Sequence, residues 1–292
     1  MIRHLLGIVF VLLVTSLSAQ KPVEMKLWPN GAPDSNGITV PESKPRADRV
    51  ANVSDPSLIV YPASKPNGLA VIACPGGGYA FLSMGQEGCD MAQWFNAQGI
   101  TYAVLKYRMP NKGHCTVPLS DALQAIRMMR GYEDRWGIRK IGIMGASAGG
   151  HVASTAATHF TEDSRPDFQI LLYPVISMKM GLTHQGSRLE LLGETPSEEL
   201  VDTYSNELHV TPNTPPAFIL HCSDDKVVPV ENSLSYYQAL KKNEVSVTLH
   251  IYPRGGHGFG YYDTFHYKRQ WTGEVEKWLR EEINPDMIKV KK

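Results

Sequence analysis

The chain has 292 residues, 42% of them hydrophobic, and its 29 basic and 29 acidic side chains balance to a formal charge of zero. A neutral chain without a block of like charges has no electrostatic footprint for nucleic acid or an anionic membrane surface, so neither is an expected partner. Four cysteines (Cys74, Cys89, Cys115 and Cys222) with no Cys-x-x-Cys spacing exclude a disulfide scaffold and a cysteine-based zinc or dithiol motif.

In chain order, Arg3 and His4 precede an apolar run from Leu5 to Val14, and small or polar residues follow to Ala19 and Gln20. That run is about half the ~20 residues a membrane-spanning helix needs. A basic start, a short apolar core and small residues before Gln20 make a cleavable export signal, cut after Ala19. The expectation is a signal peptide over 1–19, an exported (periplasmic or extracellular) protein with no stable membrane insertion after cleavage, and a single domain over 20–292. A stretch rich in Pro, Gly and Asn, 27–37, reads as an ordered N-terminal arm.

Apolar, β-branched runs then recur and predict strands at 58–61, 69–74, 100–105, 140–144, 168–173, 217–221 and 246–252. Between them, helical spacing predicts helices at 90–98, 119–130, from 152 onward, 233–242 and 268–282, with Ser120 or Asp121 as N-cap of the second. Strands alternating with helices imply a mostly parallel sheet covered on both faces. Residues 177–216 hold short helical pieces and no strand pattern. An insertion there lies over the carboxyl edge of the sheet, where open α/β folds place their sites. Cys74 and Cys222 end apolar runs and read as small buried hydrophobes.

Chemistry concentrates where the run Lys140–Met144 breaks into Gly145-Ala146-Ser147-Ala148-Gly149-Gly150-His151. Strand, Gly-x-Ser-x-Gly and helix together make a nucleophile elbow, with Ser147 lifted above the sheet at the positive end of the following helix. A serine needs a base, and the base an orienting carboxylate. His257, in Arg254-Gly255-Gly256-His257-Gly258-Phe259-Gly260 after the last strand, is the candidate base. His151 sits on the elbow helix itself, His221 reads as strand-end packing, and the remaining histidines lack a glycine setting. Of the acids after the strand 217–221, Asp225 is assigned to the triad and Asp224 to capping backbone amides of the turn. Ala148, directly after the serine, supplies one oxyanion-hole N–H. Gly77 or Gly78, in Pro75-Gly76-Gly77-Gly78-Tyr79, supplies the second. The latter stretch has neither a Gly-Lys-Ser/Thr nor a Gly-x-Gly-x-x-Gly frame, which argues against a phosphate cradle.

The motifs at 75–79, 145–151, 224–229 and 255–260 resemble the esterase branch of the α/β-hydrolases. The chain is similar to hormone-sensitive-lipase-like esterases and, more closely, to exported bacterial acetyl xylan esterases, a group often labelled xylanase-like. Leu27-Trp28-Pro29-Asn30-Gly31-Ala32-Pro33 and Ser187-Arg188-Leu189-Glu190-Leu191-Leu192-Gly193 extend the match over nearly all of 20–292. Pro75 departs from the lipase-like pattern, which carries a histidine there.

The resemblance implies an α/β-hydrolase fold and a serine carboxylesterase that releases acetyl groups from plant-wall polysaccharide or oligosaccharide, with no metal or organic cofactor. It leaves three rivals: a feruloyl or general short-chain esterase, a serine exopeptidase, and a catalytically dead carbohydrate-binding module. A glycosidase is disfavoured because it needs two facing carboxylates. A pocket closed by Tyr79 and Phe81 is expected to limit acyl size.

Overall fold

The computed structural model describes residues 21–285, so the expected signal peptide at 1–19 lies outside the described residues. Its strands are β1 (Val23–Lys26), β2 (Ser43–Arg46), β3 (Arg49–Ala51), β4 (Ser57–Tyr61), β5 (Leu69–Cys74), β6 (Phe81–Ser83), β7 (Thr101–Lys106), β8 (Lys140–Ala146), β9 (Phe168–Leu172), β10 (Ala217–Cys222) and β11 (Val247–Tyr252). The α-helices are α1 (Ala92–Ala97), α2 (Thr116–Arg130), α3 (Glu133–Trp136), α4 (Ala148–Thr158), α5 (Gln185–Leu192), α6 (Glu198–Thr203), α7 (Glu231–Lys242) and α8 (Lys268–Trp278).

Eight strands form one sheet in the order β1-β4-β7-β5-β8-β9-β10-β11. The pairs β1/β4 and β4/β7 are antiparallel, and every pair from β7 to β11 is parallel. All six residues of β5 are buried, as are those of β10, because helices cover both faces of the sheet. On one side α2, α4 and α7 contribute Ile126, Val152 and Leu240 to a continuous apolar cluster. On the other, α1 and α8 contribute Phe95, Trp271 and Trp278. Parallel packing aligns the carboxyl ends of β5, β8, β9, β10 and β11 on one edge, and the site is built there.

A three-stranded antiparallel sheet, β2-β3-β6, carries Arg49 and Phe81 to the same edge. Its strands are three or four residues long, β2 exposed, β3 half-buried and β6 mostly buried, so none shows the apolar alternation that announces a strand in sequence.

The start of α2 differs from expectation. The helix begins at Thr116, and neither Ser120 nor Asp121 is its N-cap. Asp121 sits within the helix, fully buried, and accepts hydrogen bonds from the Arg108 side chain and backbone N–H and from Trp28 Nε1. A carboxylate aimed into the core by helical phase, with a guanidinium waiting there, has stronger partners than a helix end. The same ion pair docks the arm, because Arg108 also contacts Asp34.

Candidate active site

Ser147 occupies the sharp turn between β8 and α4 with φ 54° and ψ −123°, a positive φ that costs a non-glycine residue roughly 1–3 kcal/mol. The turn is held by the Ser147 N–H donating to the Leu172 carbonyl and by the Ser147 carbonyl accepting from Val175. A Cβ on Gly145 would strike the Gly149 carbonyl, and one on Gly149 the Cys74 carbonyl, so α4 reaches this close to β5 and β8 only with glycine at both places.

His257 approaches from the loop after β11. Its Nε2 lies 2.8 Å from Ser147 Oγ and its Nδ1 2.6 Å from Asp225 Oδ2. Asp225 is fully buried at its side chain, and His257 is 14% exposed. Burial alone would push the Asp225 carboxyl up. Hydrogen bonds from His221 and His257, the imidazole charge and the Val228 amide outweigh it and hold the group well below the usual carboxylate range. Asp225 Oδ1 accepts from the Val227 and Val228 amides at 2.8 and 3.0 Å.

The neighbouring acid does different work. Asp224 accepts from Gly255 at 3.1 Å and Gly256 at 2.8 Å, so it caps amides of the histidine loop, not of its own turn. That loop is thereby pinned immediately before His257.

Of the other histidines, His151 is buried, with Nδ1 on the Tyr79 hydroxyl and Nε2 on the Tyr204 carbonyl, both at 2.8 Å. Burial lowers its pKa to about 4, and it faces away from Ser147 chemistry. His221 is more than strand-end packing. Its Nε2 lies 3.2 Å from Asp225 Oδ2 and its Nδ1 2.7 Å from Ser233 Oγ, which makes it a second brace on the triad acid. The signal for it was a histidine inside an otherwise apolar strand.

Gly77, Gly78 and Ser147 line a cleft of about 370 Å³, with Phe81, Glu87, His184, Val227, His257 and Tyr262 around it. The N–H groups of Gly77, Gly78 and Ala148 have no protein acceptor among the described residues, and Ala148 opens α4, where the first amides lack an intrahelical partner. The aromatic wall differs from expectation. Phe81 lines the cleft, whereas Tyr79 is 2% exposed and turned beneath the loop onto His151, because its φ of 64° reverses the chain after Gly78. Tyr262 and His184 take the place assigned to Tyr79. All four cysteines are free, with Cys74 and Cys222 buried in the core as read from sequence.

A serine on a strained turn after the middle strand, answered by an acid and a histidine from the last two strands, is the α/β-hydrolase design, and the fold places the chain in that class. Within it, the chain belongs to the prolyl oligopeptidase family, whose sequence profile matches residues 91–286.

Among solved structures, the chain resembles an acetyl ester-xyloside bifunctional hydrolase from Caldicellulosiruptor lactoaceticus at 38% identity and a TM-score of 0.77, covering 89% of this chain and 96% of that one. It is 39% identical over 238 residues to an acetylxylan esterase of Xylanibacter ruminicola, and 36% identical over 204 residues to an endo-1,4-beta-xylanase B of Butyrivibrio fibrisolvens. Those matches take in 78% and 64% of this chain but only 49% and 32% of the relatives, so the chain spans half or less of the length of these curated relatives.

Proposed function

We propose that this chain is a serine carboxylic-ester hydrolase that removes acetyl groups from plant-wall polysaccharide or from oligosaccharide released from it. The observation that carries the reading is the run of contacts from Asp225 through His257 to Ser147, at 2.6 and 2.8 Å, opening on a small cleft lined by glycine amides. Ser147 attacks the acetyl carbonyl while His257 takes its proton, and Asp225 holds the imidazole with Nδ1–H as donor. The oxyanion develops beside Ala148 and Gly77 or Gly78. As the carbon–oxygen bond to the sugar breaks, His257 gives the proton from Ser147 to the departing sugar oxygen, and it then takes a proton from the water that clears the acetyl-enzyme.

Support for the acetyl group and the xylan backbone comes from the named relatives. Support for ester over glycoside cleavage comes from the cleft, in which Glu87 is the sole carboxylate among the described lining residues and both its oxygens are occupied. A retaining or inverting glycosidase needs two free carboxyl groups across the bond. Export belongs to this reading as well, supported by the basic start and short apolar run before Gln20.

The test is a panel of 4-nitrophenyl acyl esters with acetylated xylan, scored for acetate and ferulate. Acetate release that disappears in Ser147→Ala, by ~10⁴-fold or more, is expected. Ferulate release outpacing acetate release would move the reading to a feruloyl esterase. A Ser147→Ala protein within a few-fold of wild type would end the serine assignment.

A further inference from the structure

Glu87, on the loop after β6, is a carboxylate with 4% exposure in the wall of the cleft. Its two oxygens serve different partners. Oε2 accepts from the Gly76 N–H at 2.9 Å, and Oε1 accepts from the Tyr173 hydroxyl at 2.8 Å. The Tyr173 oxygen in turn accepts from the Gly260 N–H at 2.9 Å. Gly76 directly precedes the oxyanion glycines, and Tyr173 directly follows β9 and meets the His257 ring edge-on at 4.8 Å. Gly260 closes the loop that carries His257.

We propose that Glu87 is a positioning residue that ties the oxyanion loop and the histidine loop to one frame, and that it does so as an ionised carboxylate.

The contacts favour that reading over a buried acid that merely fills space. The Tyr173 hydroxyl donates to Glu87 Oε1, while its oxygen accepts from the Gly260 N–H. The Gly76 amide can only donate. Both Glu87 oxygens are therefore acceptors, which suits the carboxylate and not the acid. No salt-bridge partner stands within reach among the described residues to account for such a group structurally. A Cβ on Gly76 would lie 2.7 Å from Glu87 Oε2 and 2.9 Å from Ser147 Cβ, so Glu87 and the nucleophile press on that glycine from two sides. Tyr173 itself has a φ of 36°, a strain that persists only where surrounding contacts over-determine it.

Burial holds the Glu87 carboxyl above its ordinary value, and the Tyr173 bond, the His257 charge, the Gly76 amide and Arg49 offset that only in part. A negative charge here also favours the imidazolium that forms during catalysis. Besides Glu87, the ionisable groups around His257 are Asp225, His184 and Tyr173, with Arg49 and Tyr262 lining the same cleft.

The inference rests on the ester-hydrolase reading, so the assay uses 4-nitrophenyl acetate, which needs no polysaccharide, with rates normalised to folded protein. Glu87→Gln must turn an N–H toward either the Gly76 amide or the Tyr173 hydroxyl. It is expected to lower kcat by roughly 10- to 100-fold, below the loss for deleting an oxyanion donor because the donors are misaimed and not removed. KM should change by less than about twofold, since the ground-state ester is bound as before. The acid limb of kcat/KM should move to lower pH, because a negative charge beside the imidazole has gone.

Tyr173→Phe breaks the same frame but keeps the charge. It should lower kcat without moving that limb. Wild-type kcat and an unmoved limb in Glu87→Gln would overturn the proposal, as would a variant that loses stability alone. If Glu87→Gln does not fold, wild-type kcat in folded Tyr173→Phe overturns it. A wild-type protein inert toward 4-nitrophenyl acetate would overturn the ester-hydrolase reading, and this inference with it.

Discussion

Asp121 and Asp225 are both carboxylates with no exposed side chain, yet they are held in opposite ways. Asp121 meets a guanidinium at 2.7 Å, together with a backbone amide and an indole N–H. Every partner is permanent, and none faces a cleft. Asp225 meets two imidazoles and two amides, and one of those imidazoles stands on a glycine-rich loop against Ser147. A buried charge surrounded by fixed donors anchors a segment, here the N-terminal arm. The same group leaning on a histidine that can take up a proton can orient a base. Burial alone therefore does not distinguish structure from function. The identity of the counter-charge does.

The sharpest way to break the contrast is at Asp225. Asp225→Asn removes the acceptor that fixes the Nδ1–H tautomer of His257, and a loss of about 10⁴ in kcat is expected, as for the serine-protease case. Its stability cost should depend on pH with a defined sign. The folded-state carboxyl is held below its unfolded value, so its contribution is present above about pH 4 and is lost as pH falls through the folded value. The gap in urea midpoint between wild type and Asp225→Asn should therefore narrow on acidification from pH 7 to pH 3. A gap that widens would mean that Asp225 is not ionised in the fold.

Acyl length probes the open end of the same network. The cleft of about 370 Å³ is walled by Phe81, His184, Val227 and Tyr262, and overpacking costs roughly 1–3 kcal/mol. Expressed in the transition state, that is about a tenfold to hundredfold fall in kcat/KM from acetyl to longer 4-nitrophenyl esters. Flat or rising rates from acetyl to octanoyl would place the acyl chain in another channel. Tyr79 should be neutral to chain length, since it lies beneath the loop, whereas Phe81→Ala should relax the cut-off.

Asp224→Asn comes next in size. It keeps one acceptor oxygen for Gly255 and Gly256 but gives up the second, so the loop bearing His257 loosens without losing the imidazole's own partner. A drop in kcat of about tenfold or less is expected, well above the activity of Asp225→Asn. The reverse ranking would move the triad acid to Asp224.

How much of this was legible in the sequence depends on whether the cue is local. The run at 69–74 coincides with β5 and that at 217–221 lies within a residue of β10, because strands buried on both faces spell out their own boundaries, and the run at 246–252 lies within a residue of β11, a half-buried edge strand marked by its apolar and β-branched residues. The elbow around Ser147 was legible for a similar reason: a strained turn demands small residues on either side of the serine. The strands β1, β2, β3 and β6 were not, since β1, β2 and β3 are exposed or half-buried and leave no apolar period, and β6, though mostly buried, is only three residues long. Glu87, His221 and the inward turn of Tyr79 were equally hidden. Each depends on a meeting between distant segments, such as Glu87 with Tyr173, 86 residues away. An acid among Gly85-Gln86-Glu87-Gly88 looks in sequence like any solvated loop residue.

The smallest effect on turnover is expected where the contrast began. Asp121→Asn preserves the shape of the side chain but leaves Arg108 as a buried guanidinium without a full counter-charge, since its remaining ion pair is the longer one to the partly exposed Asp34, at 3.4 Å. Removing one partner of a buried pair costs roughly 3–5 kcal/mol, and the retained amide oxygen offsets part of that. The loss should appear as a lower urea midpoint and as faster proteolysis within the 27–37 arm, because Trp28 gives up its charged acceptor at the same time. The triad is built on β8, β10 and β11 and on their loops, and none of its hydrogen bonds runs through α2 or the arm. Turnover per folded molecule should accordingly stay within about twofold of wild type, inside the range for independent sites. A variant that keeps its stability would mean that Arg108 finds a substitute anion. One that loses kcat while folded would mean that the arm communicates with the cleft, and Asp121 and Asp225 would then belong to one working network instead of two.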